Sequence, residues 1–349
     1  MIGKPAARGE LSASVSLDAD NLWSYLKTHG NPDWESRPSY LPVLADRLLD
    51  VWGEAAVHAT LFVVGFDAAR EDGAQLVARA HQAGHEVANH SYEHEPWLHR
   101  YSPAELEAEL ARTEDAIVAA GAPRPVGFRG PGYSLSADLL ALLGRRGYRY
   151  DATTLPTWIG PVARAYYLRA SKIDAAERKK REALFGSARE VLRPNRAYRW
   201  DIPPSPGAEG SHGQSLVELP VTVFPGLRTP FHVSYVLHLL AINERLAYTY
   251  VDAALNACRV AGYGPSLLLH PLDLLDYRDA PGLEFFPGMQ LPAARKVEVV
   301  RRVLTRMSEL FTVTGTGQHA QAAGAAALPA HSTATAGPAG ERARADLRG

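Results

Sequence analysis

Residues 14–21 read SVSLDADN, a short β-rich run that ends in two carboxylates, Asp18 and Asp20. In an extended strand, residues two apart face the same way, so both acids can converge on one site at the strand's end. The same grammar recurs along the chain. Residues 58–64 (HATLFVV) form a buried-type strand, and residues 85–88 form another that delivers Asn89 and His90, with His94 four positions on. Residues 125–128 run into Arg129, residues 148–152 carry Asp151, residues 216–223 restore a strand, and residues 266–269 run into His270. Helical patterns fall between them, at residues 40–52, 67–83, 136–146, 233–247 and 292–310. Residues 102–105 (SPAE) make a capping box with proline at the first helical position, and Gly121 closes that helix. Strands alternating with helices, with polar residues gathered just after the strands, predict parallel strands and a site at their carboxyl ends. The expected fold is therefore α/β, a distorted (β/α) barrel of about seven parallel strands.

The rhythm breaks in two places. Residues 160–215 contain a helical stretch with a basic run at 178–181 (RKKR) and a Pro/Gly loop at 201–213. They are expected to be a helical and loop insertion over the barrel mouth, the basic run being a solvated helix face. Residues 313–349 are rich in Ala, Gly, Thr and Pro with few large apolar side chains, and are expected to be a disordered tail beyond a single domain of residues 1–312. Residues 22–34 are expected to be a loop, with Trp23, Tyr25 and Trp34 packed under it.

The chain has 349 residues, 46% hydrophobic and 21% charged, ordinary values for a globular protein with a sizeable core. A formal net charge of -1 gives no ground for nucleic acid or an anionic membrane as partner. The single cysteine, Cys258, allows neither an intrachain disulfide nor a thiolate metal cluster, and its helical surroundings suit a packed thiol. Residues 1–14 hold no apolar signal core, and no run approaches the roughly 20 apolar residues of a membrane span. A cytoplasmic location is the expectation.

One carboxylate and two imidazoles make a three-ligand set for a catalytic divalent metal, with a position left open for water. Asp18 or Asp20 with His90 and His94 supplies that set, which suits zinc first and also admits cobalt, iron, nickel or manganese. His81, His85 and His99, among 13 histidines in all, read as surface or capping groups.

On these residues the chain resembles the polysaccharide deacetylase family, of the NodB-homology, carbohydrate esterase family 4 type. Five short motifs have counterparts in order across about residues 12–272. The family's T-F-D-D appears as Ser16-Leu17-Asp18-Ala19-Asp20, with the carboxylates one residue further apart. Its H-[ST]-x-x-H appears as His90-Ser91-Tyr92-Glu93-His94, and its R-x-P-Y as Arg129-Gly130-Pro131-Gly132-Tyr133. Asp151 and Trp158 stand where the family has an acid and a tryptophan that shape the pocket, and Leu268-Leu269-His270 matches L-x-H. The resemblance implies that Asp18 is the general base, that Asp20, His90 and His94 hold the metal, and that His270 is the general acid. It further implies that Arg129 pairs with the base and Asp151 orients His270. The Tyr133 backbone N–H, beside Pro131, would hold the oxyanion, while Trp158 and Leu268 would line the acyl side.

The implied activity is hydrolysis of an N-acetyl group on an amino sugar or glycoconjugate, with an N-acylated sugar as the small-molecule partner. The alternatives are a deformylase or allantoinase-like hydrolase of another non-peptide C–N bond, or a non-catalytic glycan-binding module. His232 and Trp97 are further candidates for shaping the pocket.

Overall fold

The computed structural model describes residues 11–160, 191–203 and 214–336. The chain begins β1 (Ser12–Asp18), α1 (Leu22–His29), α2 (Leu41–Glu54), β2 (Thr60–Val63), α3 (Gly65–Ala68), α4 (Glu71–Gln82) and β3 (Glu86–Asn89). It continues through α5 (Pro103–Ala119), β4 (Gly127–Phe128), α6 (Ala137–Arg145), β5 (Tyr150–Asp151), β6 (Tyr198–Ile202) and β7 (Gln214–Glu218). Then come α7 (Val233–Ile242), α8 (Glu244–Val260), β8 (Ser266–Leu269), α9 (Ala293–Leu310), β9 (Thr312–Thr314), α10 (Thr316–Gly324) and β10 (Ala330–Ser332).

The alternation within β1 divides the molecule into an inside and an outside. Ala13, Val15 and Leu17 join the main apolar core beneath the helices, together with Leu41, Leu44 and Leu48 of α2 and Val300 and Leu304 of α9. Ser14, Ser16 and Asp18 face the opposite way and are equally buried. Seven strands stand parallel in the order β8-β1-β2-β3-β4-β5-β7. The open edges meet through the irregular segment after β7. Thr222 N–H donates to Ser266 O (3.0 Å), Ser266 N–H to Thr222 Oγ1 (2.8 Å), and Val221 N–H to Thr154 O (2.9 Å). Closure through a loop rather than a ladder is what distorts the barrel. Phe62, Ala88, Tyr150, Ala152 and Leu219 fill its interior.

The capping box forms as expected: Ser102 Oγ accepts from Glu105 N–H, and the Glu105 carboxylate accepts from Ser102 N–H. Three expectations need correction. Residues 22–29 are helical, not loop, because the Asn21 side chain caps the Leu22 N–H and Gly30 closes the helix in the left-handed conformation. The helical part of the insertion lies outside the described residues. Its described part extends the sheet instead of covering the mouth, with β6 antiparallel to β7 and β10 parallel to β6.

The third correction concerns the tail, since residues 312–336 are folded. β9 pairs with β1, and α10 plugs the amino-terminal end of the barrel. Its first turn is held by Thr60 Oγ1, which accepts from Thr316 N–H (2.7 Å), and by Glu86, which accepts from Gly317 N–H (2.8 Å). His319 meets Ser14 Oγ at 3.0 Å, and Ala320 packs into the barrel interior. Small residues let this helix approach closely, which an inventory of large apolar side chains misses.

The Glu86 carboxylate also accepts from Thr60 Oγ1 (2.6 Å) and Tyr150 OH (2.9 Å). Glu86→Ala leaves these three donors without their acceptor and is expected to lower stability by about 2 kcal/mol. The check is the urea midpoint at constant m-value, and an unmoved midpoint would show that α10 is held by other contacts.

Candidate active site

The loops at the carboxyl ends of β1 and β3 bring three donor atoms together. Asp20 Oδ1 lies 3.2 Å from His90 Nε2 and 2.9 Å from His94 Nε2. His90 Nδ1 sits 2.7 Å from the Arg129 carbonyl oxygen, so it carries the hydrogen and leaves the Nε2 lone pair facing Asp20. Asp20 Oδ1 is buried, yet no hydrogen bond reaches it. Lone pairs converging on a buried carboxylate call for a cation between them, and two imidazoles with one carboxylate fit a divalent metal. Burial would raise the Asp20 pKa, but where the imidazoles carry a proton instead of facing a cation, His94 and His90 outweigh burial and hold the carboxyl well below its ordinary range.

The backbone that presents the histidines is unusual, with Ser91 and His94 both at positive φ (61° and 53°). Neighbouring groups hold it there. Asn89 Oδ1 accepts from Ser91 N–H (2.8 Å), and the Glu109 carboxylate of α5 accepts from Tyr92 and Glu93 N–H (2.7 and 3.0 Å). On the β1 side, Asn21 donates to the wholly buried Asp67 (2.8 Å), as does Trp23 Nε1 (2.9 Å). Burial raises Asp67 to about 6 despite those two donors.

Arg129 is buried beside this group. Its Nη1 donates to Asp18 Oδ1 (2.6 Å) and Ser16 Oγ (2.9 Å), and its Nε donates to Ala152 O (2.9 Å). Asp18 Oδ2 is left facing His90 Nε2 at 4.0 Å. His270 ends β8, with Ser234 Oγ at 3.4 Å from its Nδ1 and the His232 ring 5.9 Å away. Burial pushes His232 down to about 3, helped by His270 and Arg129, so it is neutral at pH 7.

Two expected placements do not hold. Asp151 does not orient His270: its Oδ1 accepts from Thr153 Oγ1 (2.5 Å), and burial with the adjacent Glu218 carboxylate raises it well above the usual range. The Tyr133 N–H donates to Gly130 O (3.1 Å) within a tight turn, where Tyr133 has φ 62°, so it is not free for an oxyanion. Pro131 is buried in that turn. Leu268 is buried opposite Ser16, its neighbours Leu267 and Leu269 belonging to the outer core. Trp158 is half-exposed on the rim, its Nε1 donating to Leu227 O (2.9 Å).

Asn21, Asp67, Glu109 and Asp273 were not legible as site residues. Only Asp273 left a signal, an acid three residues after His270 with Pro271 between, the spacing of a cap.

A model of the family described as polysaccharide deacetylase matches residues 36–150. Over 108 residues the chain is 36% identical to a chitooligosaccharide deacetylase from Bradyrhizobium, covering 30% of this chain and 48% of that one. Over 76 residues it is 40% identical to a chitooligosaccharide deacetylase from Sinorhizobium fredii, covering 22% and 34%. The chain thus spans half or less of the length of these curated relatives. Among solved structures, a Mycobacterium smegmatis protein described as a polysaccharide deacetylase superposes with a TM-score of 0.57 at 21% identity, covering 92% of this chain and 95% of that one. That likeness is one of fold.

A metal must compete with protons for His90. Burial lowers the His90 pKa, but Asp18, Asp20 and the Arg129 carbonyl outweigh it and raise it above 6.5. A raised imidazole keeps its proton over a wider range, so zinc affinity is expected to weaken as pH falls through neutrality. Calorimetric titration at pH 8, 7 and 6 checks the trend, and the His90→Ala/His94→Ala protein is expected to bind none of the metal at any of them.

Proposed function

We propose, from the premise that the chain belongs to the polysaccharide deacetylase family, that it is a metal-dependent hydrolase removing the N-acetyl group from an amino sugar or glycoconjugate. One observation carries this reading. The Asp20–His90–His94 donor set lies beside an Arg129-held Asp18 whose free oxygen is 4.0 Å from a donor nitrogen. A ligand set adjoining a fixed carboxylate is the arrangement a hydrolytic metal site needs. The similarity to chitooligosaccharide deacetylases supports an acylated amino sugar as the substrate class.

Asp20, His90 and His94 would hold the ion. When bound, it supplies Lewis acidity, polarising an acyl oxygen and acidifying a water. Asp18 accepts the water proton at Oδ2, because Arg129 occupies Oδ1 and fixes the carboxylate plane. As that proton leaves, the water oxygen bonds to the acyl carbon. His270 then gives a proton to the departing nitrogen, and the C–N bond breaks to release acetate and the free amine. His232 is neutral at pH 7 and adds no charge beside His270. Leu268, on the barrel side of β8, gives the acyl methyl an apolar wall. A base that must be ionised and an acid that must be protonated together give a bell-shaped pH–rate profile.

Acetate release from N-acetylglucosamine oligomers by the zinc- or cobalt-loaded protein tests this reading. Asp18→Asn is expected to lower kcat by roughly 10²–10⁴-fold while metal content stays at the wild-type level. Turnover by Asp18→Asn at the wild-type rate would sink the assignment of the base.

A further inference from the structure

A general acid needs a partner on the ring nitrogen that faces away from the substrate, and the geometry points to one that the sequence did not show. We infer that Asp273, acting with Ser234, is the positioning carboxylate of His270, in place of Asp151; this rests on the deacetylase reading of His270.

The Asp273 carboxylate is wholly buried and accepts from the backbone N–H of His270 at 2.9 Å, while the backbone N–H of Asp273 donates back to His270 O at 2.9 Å. Pro271 opens the short turn between them, so the carboxylate and the His270 backbone are locked in register. Ser234 of α7 completes the link. Its hydroxyl is among the groups that lower the Asp273 pKa, which places it beside that carboxylate, and its Oγ lies 3.4 Å from His270 Nδ1. A hydroxyl oxygen beside Nδ1, with a carboxylate next to it, favours a hydrogen on Nδ1 and thereby orients the ring.

The unit is anchored from behind. Lys296 of α9 has no exposed surface and donates to Leu272 O (2.8 Å) and Leu275 O (2.6 Å), on either side of the loop that carries Asp273. Burial lowers Lys296 to about 8, and the acids Asp273, Asp276 and Asp279 resist that fall. Burial raises the Asp273 pKa, while His270, Ser234 and Lys296 pull it down. The other titratable groups around the pair are His232 just before α7, Tyr235 within it, Tyr25 from α1 and Arg129 after β4. Asp151 is tied to Thr153 and Glu218.

A carboxylate beside an imidazole favours the cationic ring, so removing its charge lets the ring lose its proton at lower pH. The test is the pH profile of kcat/KM for wild type, Asp273→Asn, Ser234→Ala and Asp151→Asn, all metal-loaded. It is paired with the NMR titration of the His270 ring, identified by its absence in His270→Gln. Asp273→Asn keeps the shape of the side chain. It is expected to move the alkaline limb and the ring's titration midpoint down by about one pH unit. It is also expected to lower kcat roughly tenfold with little change in KM. Ser234→Ala, which removes only the bridging hydroxyl, is expected to shift both in the same direction by less, and it decides the matter should Asp273→Asn not fold.

Profiles and midpoints of both variants that coincide with wild type would overturn the inference, as would a shift produced by Asp151→Asn instead. Failure of the wild type to release acetate from any N-acylated sugar would sink the deacetylase reading. The ring titration needs no substrate and would still decide whether Asp273 governs His270.

Discussion

One buried guanidinium ties the site to the fold. Arg129 follows β4 with its Cζ 4.2 Å from the centroid of the Phe62 ring, and it touches β1 through Ser16 and Asp18 and the segment just after β5 through Ala152. Its carbonyl holds His90 in the tautomer that turns Nε2 toward Asp20. A buried ion pair is a poor source of stability, because desolvating two charges offsets most of their attraction. Its value here is geometric: one residue fixes the Asp18 carboxylate, the orientation of the His90 ring and the contact between β1, β4 and β5. Arginine rather than lysine suits the task, since a planar fork can serve several acceptors in fixed directions.

The barrel has a functional end and a closed end, and both are polar within. From the bottom upward, β1 presents Ser14 to His319, Ser16 to Arg129 and Asp18 to Arg129. A strand whose inner face is Ser-x-Ser-x-Asp could not stay buried unless each polar group had a partner. The plug helix α10 and Arg129 supply those partners from opposite ends. The carboxyl-terminal segment is thus part of the barrel's satisfaction as well as its closure.

Legibility followed the range of the interactions. The strand-end positions of Asp18, Asp20, His90, Arg129 and His270 came from local pattern, and the structure brings Asp20, His90 and His94 to one point and Asp18 onto Arg129. The capping box at Ser102 was equally local. Misreadings arose where a distant contact decided the outcome. α1 depends on Asn21, whose side chain also binds Ser39 and Asp67. Residues 316–324 fold because Thr60, Glu86 and Ser14 await them from the far side of the sequence. Asp151 has the sequence position of an orienting acid, but Glu218, 67 residues on, claims its neighbourhood.

The two loops that carry the candidate site's histidines are held by the same physical device with opposite signs. After β3, the strained turn of Ser91 and His94 is fixed by a buried carboxylate, Glu109, accepting two backbone N–H groups. After β8, the turn bearing His270 and Asp273 is fixed by a buried ammonium, Lys296, donating to two backbone carbonyls. Each charge sits on a helix of the outer layer and reaches the loop from outside the barrel. Charge-assisted bonds to backbone position a loop without occupying the substrate's space, and they are stronger than neutral ones. The loops are therefore free to carry reactive side chains on their inner faces, while their conformation is set by the helices. This division explains why residues remote from the chemistry in sequence, on α5 and α9, belong to the site as much as those that line it.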